Sequence, residues 1–427
     1  VALVNPFRLL TDPIGFFTQV AAEQGPVARF QFGSQEFVLL NEPAMIEELL
    51  LRQAGKLEKF PRIDRTRGLF GEGLLTSEEP LHMRQRRLAQ PAFQRERLGA
   101  YADEMVAATG RLSASWREGE EFDAAHAMGK LALDIVSRTL FSTRTDAEAE
   151  KISESLDTVI RTLNHLVMPW GNLLIGLPTP VRQRYRAALK QLDQIVYGLI
   201  QSRRQASDPG TDLLGLLMAA KDQETGEGMP DLQLRDEVMT LFVAGHDTTA
   251  NGLAWTLYLL AKNPEQRARL EAEVDEVLGG KPASMEDAAR LKFTAAVFRE
   301  SLRLYPPVWI LGRRALENLP PSALALKKGT IILVCMAVLH RQARWFPAPE
   351  MFDPGRAEPA HRYAYLPFGA GGRLCIGERF AWLEGILCLA TLAQQWRLDL
   401  ARDRAVKPEA LLTLRPRGGL PMVARRR

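Results

Sequence analysis

Cysteine is scarce. Three residues in 427, an odd number, cannot build a disulfide scaffold and fit a reducing compartment. Long apolar runs are missing too. Stretches such as residues 385–393 reach about half of the ~20 residues that span a bilayer, so no transmembrane anchor is expected. No basic stretch followed by an apolar core opens the chain, which argues against a signal peptide and for a cytoplasmic protein. A strong charge of either sign is absent as well. A formal net charge of +4 over this length is too dilute to imply nucleic acid. Basic residues cluster only locally, as at Arg84, Arg86 and Arg87, where solvated surface is the plain reading and an acidic partner protein the functional one. Neither a repeat period nor a Gly/Ser- or Pro-rich linker divides the sequence. One domain over residues 1–427 is expected, and 46% hydrophobic residues suffice for a sizeable core.

What is present is chiefly helical pattern. Apolar residues at i, i+3, i+4 spacing run through residues 105–116, 130–141, 155–166 and 185–203. Strand signals are few and lie near the ends: a hairpin of 27–32 and 36–40 about Gly33-Ser34, strands at 308–311 and 330–334, and a C-terminal hairpin of two short strands about Gly418-Gly419. The expected class is mainly α with a smaller β-rich lobe (α+β). Residues 206–231 read as a connection. After it, one helix is predicted from Asp231, as its N-cap, to Asn263-Pro264. At ~1.5 Å per residue it forms a rod of about 45 Å, apolar nearly all round over 241–244 and 253–261. It should be a central beam through the core.

The most informative stretch is Leu366-Pro367-Phe368-Gly369-Ala370-Gly371-Gly372-Arg373-Leu374-Cys375-Ile376-Gly377. Glycines surround one cysteine directly before a helical pattern over 378–396. Such a cysteine lies on a tight loop feeding a helix N-terminus, where free N–H groups and the helix dipole favour a thiolate. A thiolate there suits nucleophilic attack or ligation of a soft or haem iron. Other motifs fail on spacing. The Lys-Ser/Thr of a phosphate loop is missing, and Leu374 stands where a dinucleotide fingerprint starting at Gly369 needs glycine. Cys388 falls within a helix and does not complete a zinc site, and there is no C-x-x-C-H for c-type haem. A buried cysteine beside a glycine-rich turn is the plain alternative.

Within the long helix stands Ala244-Gly245-His246-Asp247-Thr248-Thr249. At 100° per residue Leu241, Gly245, Thr248 and Gly252 share one face, and His246 lies about 200° from Thr248. Glycine inside a helix costs roughly 1 kcal/mol relative to alanine, so a reason is expected. An acid beside a hydroxyl suits proton delivery into a dry site. The structural alternative is that Asp247, Thr248 and Thr249 cap a second helix starting near Ala250.

Residues 368–377 match F-G-x-G-x-R-x-C-x-G at every fixed position, and on this signature the chain resembles the cytochrome P450 family. The resemblance implies haem b between the long central helix and the cysteine loop. It implies Cys375 as the axial ligand of the haem iron, with Phe368 and Gly369 in the haem-binding segment and Arg373 on a propionate. Ala244 to Thr249 is similar to the oxygen-activation motif [AG]-G-x-[DE]-T-[TS]. By that likeness Ala244 and Gly245 leave room for dioxygen, Thr248 holds a water chain and Asp247 relays protons from outside. His82-Met83-Arg84-Gln85-Arg86 resembles W/H-x-x-x-R, which sends His82 and Arg86 to the propionates. Arg313, with Arg314 close behind, would complete that cage. Glu300, Arg303 and Arg356 resemble a buried Glu-Arg-Arg triad of structural role, with Ala357 departing from the usual aromatic.

The implied reaction inserts one oxygen atom from O2 into a hydrophobic small molecule, by hydroxylation or epoxidation, and releases the other as water. Electrons would come from NAD(P)H through a ferredoxin or flavodoxin with its reductase, docking near Arg84, Arg87 and Arg379 on a monomer. Substrate contacts are expected from residues 61–75, 163–177 and 308–311, with 166–170 and 173–175 either a lid or ordinary core. Arg62, Arg65 and Arg67 are candidates to anchor a carboxylate. Terpenoids, fatty acyl chains, carotenoids and polyketide-like compounds suit such a pocket. Two rivals share Cys375 or haem. A peroxide-driven peroxygenase would not be expected to keep the Asp247-Thr248 pair. A haem-based sensor or electron carrier would lack both proton relay and apolar pocket.

Overall fold

The long helix spans Asp231–Lys262 in the computed structural model, which describes residues 2–3, 6–141, 146–166, 179–205, 210, 212–222, 226–320, 324–402 and 405–427. Its start differs from expectation. Pro230 is the N-cap, with extended backbone and no side-chain cap bond, while Asp231 enters the first turn and pairs with Arg204. There its charge still meets the positive helix end. The helix stops at Asn263 because Pro264 lacks an N–H and restricts the residue before it. Pro264 then opens the next helix, Pro264–Leu278.

Almost every side chain from Leu234 to Leu260 is buried outside the 244–248 segment. The helix packs against Ala124–Phe141, Pro180–Gln205, Lys292–Leu304 and Glu378–Gln395. Trp255, fully buried at its centre, stacks on Tyr305 with 3.9 Å between ring centroids. The other predicted helices form and run longer: Arg95–Ala114, Ala124–Phe141, Asp146–Leu166 and Pro180–Gln205. The connection before the central helix holds a helix of its own, Leu213–Ala219, capped by the Asp212 carboxylate accepting Gly215 N at 2.9 Å. Leu213, Leu214 and Leu217 are buried, an apolar signal that the flanking Gly and Pro residues masked.

A six-stranded sheet gathers strands from both ends of the chain, in the order Ala2–Leu3, Val27–Phe32, Gln35–Leu40, Ile331–Val334, Leu311–Ala315, Leu57–Lys59. The expected hairpin pairs Val27 with Leu40 and Phe32 with Gln35. Phe37 runs parallel to Ile331, and Lys59 lies opposite Arg313 in an antiparallel pair. Two expectations fail. The strand near Arg313 is Leu311–Ala315, not 308–311, because the chain leaving Pro306-Pro307 is still irregular at Val308. The strands about Gly418-Gly419, Leu414–Pro416 and Pro421–Arg426, do not pair as a hairpin. The first joins Pro408–Ala410, and the second lies between Glu121–Asp123 and Trp396–Leu400. Met422 is matched on both sides, by Phe122 and Leu400, which leaves no free edge for the first strand. Among the described residues no helix is long and apolar enough to cross a membrane.

Candidate active site

The cysteine loop is tied by its own backbone. Cys375 N donates to Phe368 O at 3.0 Å and Leu374 N to Gly371 O at 3.0 Å, closing a short turn over Gly371–Arg373. Gly369 and Gly371 sit at φ 73° and 71°, a region costly for other residues, and a Cβ on Gly371 would lie 2.5 Å from Leu50 O. The helix Glu378–Gln395 follows at once, with Gly377 as N-cap. The Cys375 side chain has an exposed surface yet is enclosed by protein mass, so it lines an internal space. That enclosure pushes its thiol up to about 11. The Glu378 carboxylate pushes the same way, against the Gly377 N–H and the Arg86 charge. The helix end alone therefore does not make a thiolate here, contrary to the reading from sequence. A bound metal's positive charge would.

Cations converge near this loop. His82 and Arg86 lie one turn apart on Leu81–Ala89. His82 is buried, with Nδ1 2.9 Å from Glu79 Oε1, and its pKa falls to about 4 through burial and then the Arg373 charge. Arg86 Nη1 donates to Leu374 O at 2.7 Å, joining that helix to the cysteine loop. Arg373 donates to Ser77 O at 3.0 Å and pairs with the Glu78 carboxylate. Adjacent strand residues face opposite ways. Arg314 turns to Glu58, while Arg313 is enclosed, its pKa lowered to about 10 by burial and then by Arg373.

Sequence reading missed a fifth member, Lys59. Its Nζ donates to Ser77 O at 2.8 Å and Leu74 O at 3.1 Å, and burial followed by the Arg373 charge brings its pKa down to about 7. Lys59, Arg313 and Arg373 thus repel one another, with Glu78 the carboxylate acting on all three. Cations that still repel one another beside a reachable cysteine fit a metal-bearing group with two acidic arms. Haem has that chemistry.

On the central helix, Ala244 is exposed among buried neighbours and Thr248 is partly exposed one turn later. Thr248 Oγ1 donates to Ala244 O at 2.6 Å. Asp247 points elsewhere. Its Oδ2 accepts from Thr413 Oγ1 at 2.5 Å, and Asn251 Nδ2 lies 3.3 Å from Oδ1. Neither Thr413 nor Asn251 was singled out from sequence. Gly245 departs from expectation. A Cβ there would lie 2.6 Å from Val136 Cγ2, so what Gly245 accommodates is the helix Ala124–Phe141. His246 is buried beside Gly129, away from the Thr248 face, with its pKa lowered by burial.

The triad residues meet. Arg303 contacts both oxygens of Glu300 at 2.8 Å, and Arg356 Nε lies 3.2 Å from Oε1. Arg303 also donates to His340 O, Pro349 O and Met351 O, and Arg356 to Pro347 O, Ala348 O and Met351 O. Ala357, where an aromatic was expected, is exposed on the wall of a cleft of about 610 Å³ between residues 356–362 and the cysteine loop.

Two expectations about surface arginines need correction. Arg84 and Arg87 are drawn to the buried carboxylate of Asp222, at 3.7 Å and 3.3 Å, so they do not form a bare basic face with exposed Arg379. Arg67 is engaged by Asp64 and Glu72 instead of standing open to a ligand's carboxylate. Within the expected substrate segments Leu75 and Val308 are exposed, while residues 167–178, including most of the expected lid, lie outside the described residues.

A family model described as Cytochrome P450 matches residues 7–420. Cyclooctatin synthase of Streptomyces melanosporofaciens is 35% identical over 410 residues, covering 94% of this chain and 89% of that one. Pentalenene oxygenase of Streptomyces avermitilis is 34% identical over 417 residues, covering 96% and 92%. Cyclooctat-9-en-7-ol 5-monooxygenase of S. melanosporofaciens is 36% identical over 402 residues, covering 93% and 87%. The crystal structure of the cytochrome P450DA heme domain superposes with a TM-score of 0.90 at 27% identity, covering 100% of this chain and 96% of that one.

Proposed function

The chain belongs to the cytochrome P450 family, and from that premise we propose that Cys375 ligates the haem iron within a single domain over residues 1–427. The protein is a haem-thiolate monooxygenase that inserts oxygen from O2 into hydrophobic small molecules, with electrons from a redox partner. Bound at this site, haem supplies dioxygen binding and O–O cleavage favoured by the thiolate. Lys59, His82, Arg86, Arg313 and Arg373 hold its propionates, and Phe368 and Gly369 shape the loop beneath it. Ala244 and Thr248 are accessible positions on the central helix. Thr248 holds water there, and Asp247 passes protons inward from solvent. Glu300, Arg303 and Arg356 fix the chain leading to the cysteine loop.

The observation that carries this assignment is the crowd of enclosed, mutually repelling cations next to a reachable cysteine. A ferredoxin or flavodoxin with an NAD(P)H-dependent reductase is the proposed donor, docking on the Cys375 side around Arg379. The alkene skeletons in the names of the relatives favour terpenoids among the apolar substrate classes. The decisive experiment is the absorption spectrum of the dithionite-reduced protein with carbon monoxide, beside Cys375→Ala. A strongly red-shifted Soret band lost in the variant is expected. A histidine-type band unchanged by Cys375→Ala would overturn the assignment.

A further inference from the structure

Asp247, read above as the proton relay, has an unusual set of partners. Among the described residues no arginine or lysine lies within ion-pair distance of it, and the two side chains that hold its carboxylate are neutral. One is Asn251, a turn further along the same helix, which also donates to Asp247 O at 2.7 Å. The other, Thr413, comes from the far end of the chain and is itself tied to Asn251 at 3.3 Å. Both are buried.

The backbone around Thr413 is pinned from several sides. Trp309 Nε1 donates to Leu411 O at 2.8 Å, Trp255 Nε1 to Leu414 O at 3.0 Å, and Leu414 N to Pro307 O at 2.9 Å. The Thr413 hydroxyl therefore has a fixed position and donates to Asp247 Oδ2 from it. A carboxylate gripped on both oxygens is held in one orientation, and a proton relay needs that, because transfer is efficient only at hydrogen-bond reach and alignment.

We propose that Thr413 is a positioning residue for oxygen activation, its hydroxyl holding the Asp247 carboxylate in the orientation from which protons pass toward Thr248. This rests on the reading of Asp247 as the relay. It also ties proton delivery to residues 307–309, because the same short segment is bonded to both.

The test needs no knowledge of the substrate. The holoenzyme, supplied with electrons by a plant-type ferredoxin, its reductase and NADPH, is given O2 alone. The partition of consumed O2 between water and hydrogen peroxide is then measured in H2O and D2O. Slow proton delivery favours peroxide. Thr413→Val is expected to lower the water-to-peroxide ratio about tenfold and to change its solvent isotope effect, with Thr413→Ser within about twofold of the unaltered protein. Asp247→Asn should lower the ratio at least as far, and the double variant no further. If Asp247→Asn lowers the ratio and Thr413→Val does not, the positioning role is overturned and the relay stands. An unchanged ratio in Asp247→Asn would overturn the relay and the inference with it. If Thr413→Ser fails to rescue, or the two losses add, Thr413 acts through packing and the proposal falls.

Discussion

Two buried clusters of arginine sit on either side of the cysteine loop, and they are built on opposite rules. Around Glu300, two guanidiniums share one carboxylate, and backbone carbonyls take up further donors. Around Arg373, the cations depress one another's pKa even though the Glu78 carboxylate acts on all three. The first cluster is complete as it stands, which is the mark of a structural lock. The second keeps a repulsion among its cations that an added anion would relieve, which is the mark of a binding site. Residue types do not separate them, since each combines arginine with glutamate. The repulsion left among the cations does.

Breaking the complete cluster should cost most. Glu300→Gln or Arg303→Met leaves an uncompensated buried charge or carboxylate, and a loss of about 3–5 kcal/mol in folding stability is expected from denaturant melts. Thinning the incomplete cluster should behave in the contrary way. Arg373→Gln is expected to speed haem transfer to an apo-globin acceptor about tenfold or more, while the haem-free protein loses under about 1 kcal/mol because repulsion is relieved. Equal destabilisation of the haem-free protein by both substitutions would erase the distinction.

Acid–base titration sharpens it further. The folded pKa of Lys59 is about 7 against 10.5 for the free side chain, so between those values the unfolded chain binds more protons and stability rises with pH. In the haem-free protein Lys59→Met should flatten this rise between pH 7 and 10.5, read as the difference between denaturation curves at the two ends. The smallest effect is expected at the surface. Arg379→Glu should slow reduction by a ferredoxin a few-fold in stopped flow, whereas Arg84→Gln, already committed to Asp222 and Glu227, should change it less than about twofold.

The cysteine loop, the central helix and the helical character of the middle were legible because each is a local pattern of glycine, proline or apolar period. Cys375, Arg373, Glu300 and Arg303 could be named from contiguous motifs. Lys59 could not. It follows Glu58 in a three-residue strand and reads as a solvated charge, and only its pairing opposite Arg313 buries it. Thr413 and Asn251 carry no motif, and their meeting at Asp247 depends on a long return of the chain. Gly245 was legible as an exception to helix propensity but not in its cause, since Val136 belongs to another helix. The thiol's raised pKa was likewise hidden, because a loop sequence reports the helix end but not the protein mass around the sulfur.

The six-stranded sheet also has a consequence for synthesis. Among the described residues strand Leu57–Lys59 pairs only with Leu311–Ala315, and Glu58 and Arg314 lie 256 positions apart in sequence. Until the ribosome has delivered that later strand, Lys59 has no cross-strand partner and the cationic cage cannot close. Contacts this distant are entropically costly to nucleate and slow to form. A nascent chain released before residue 313 would carry His82 and Arg86 yet neither Arg313 nor Cys375, so cofactor capture becomes a late event, timed by topology to the last third of translation.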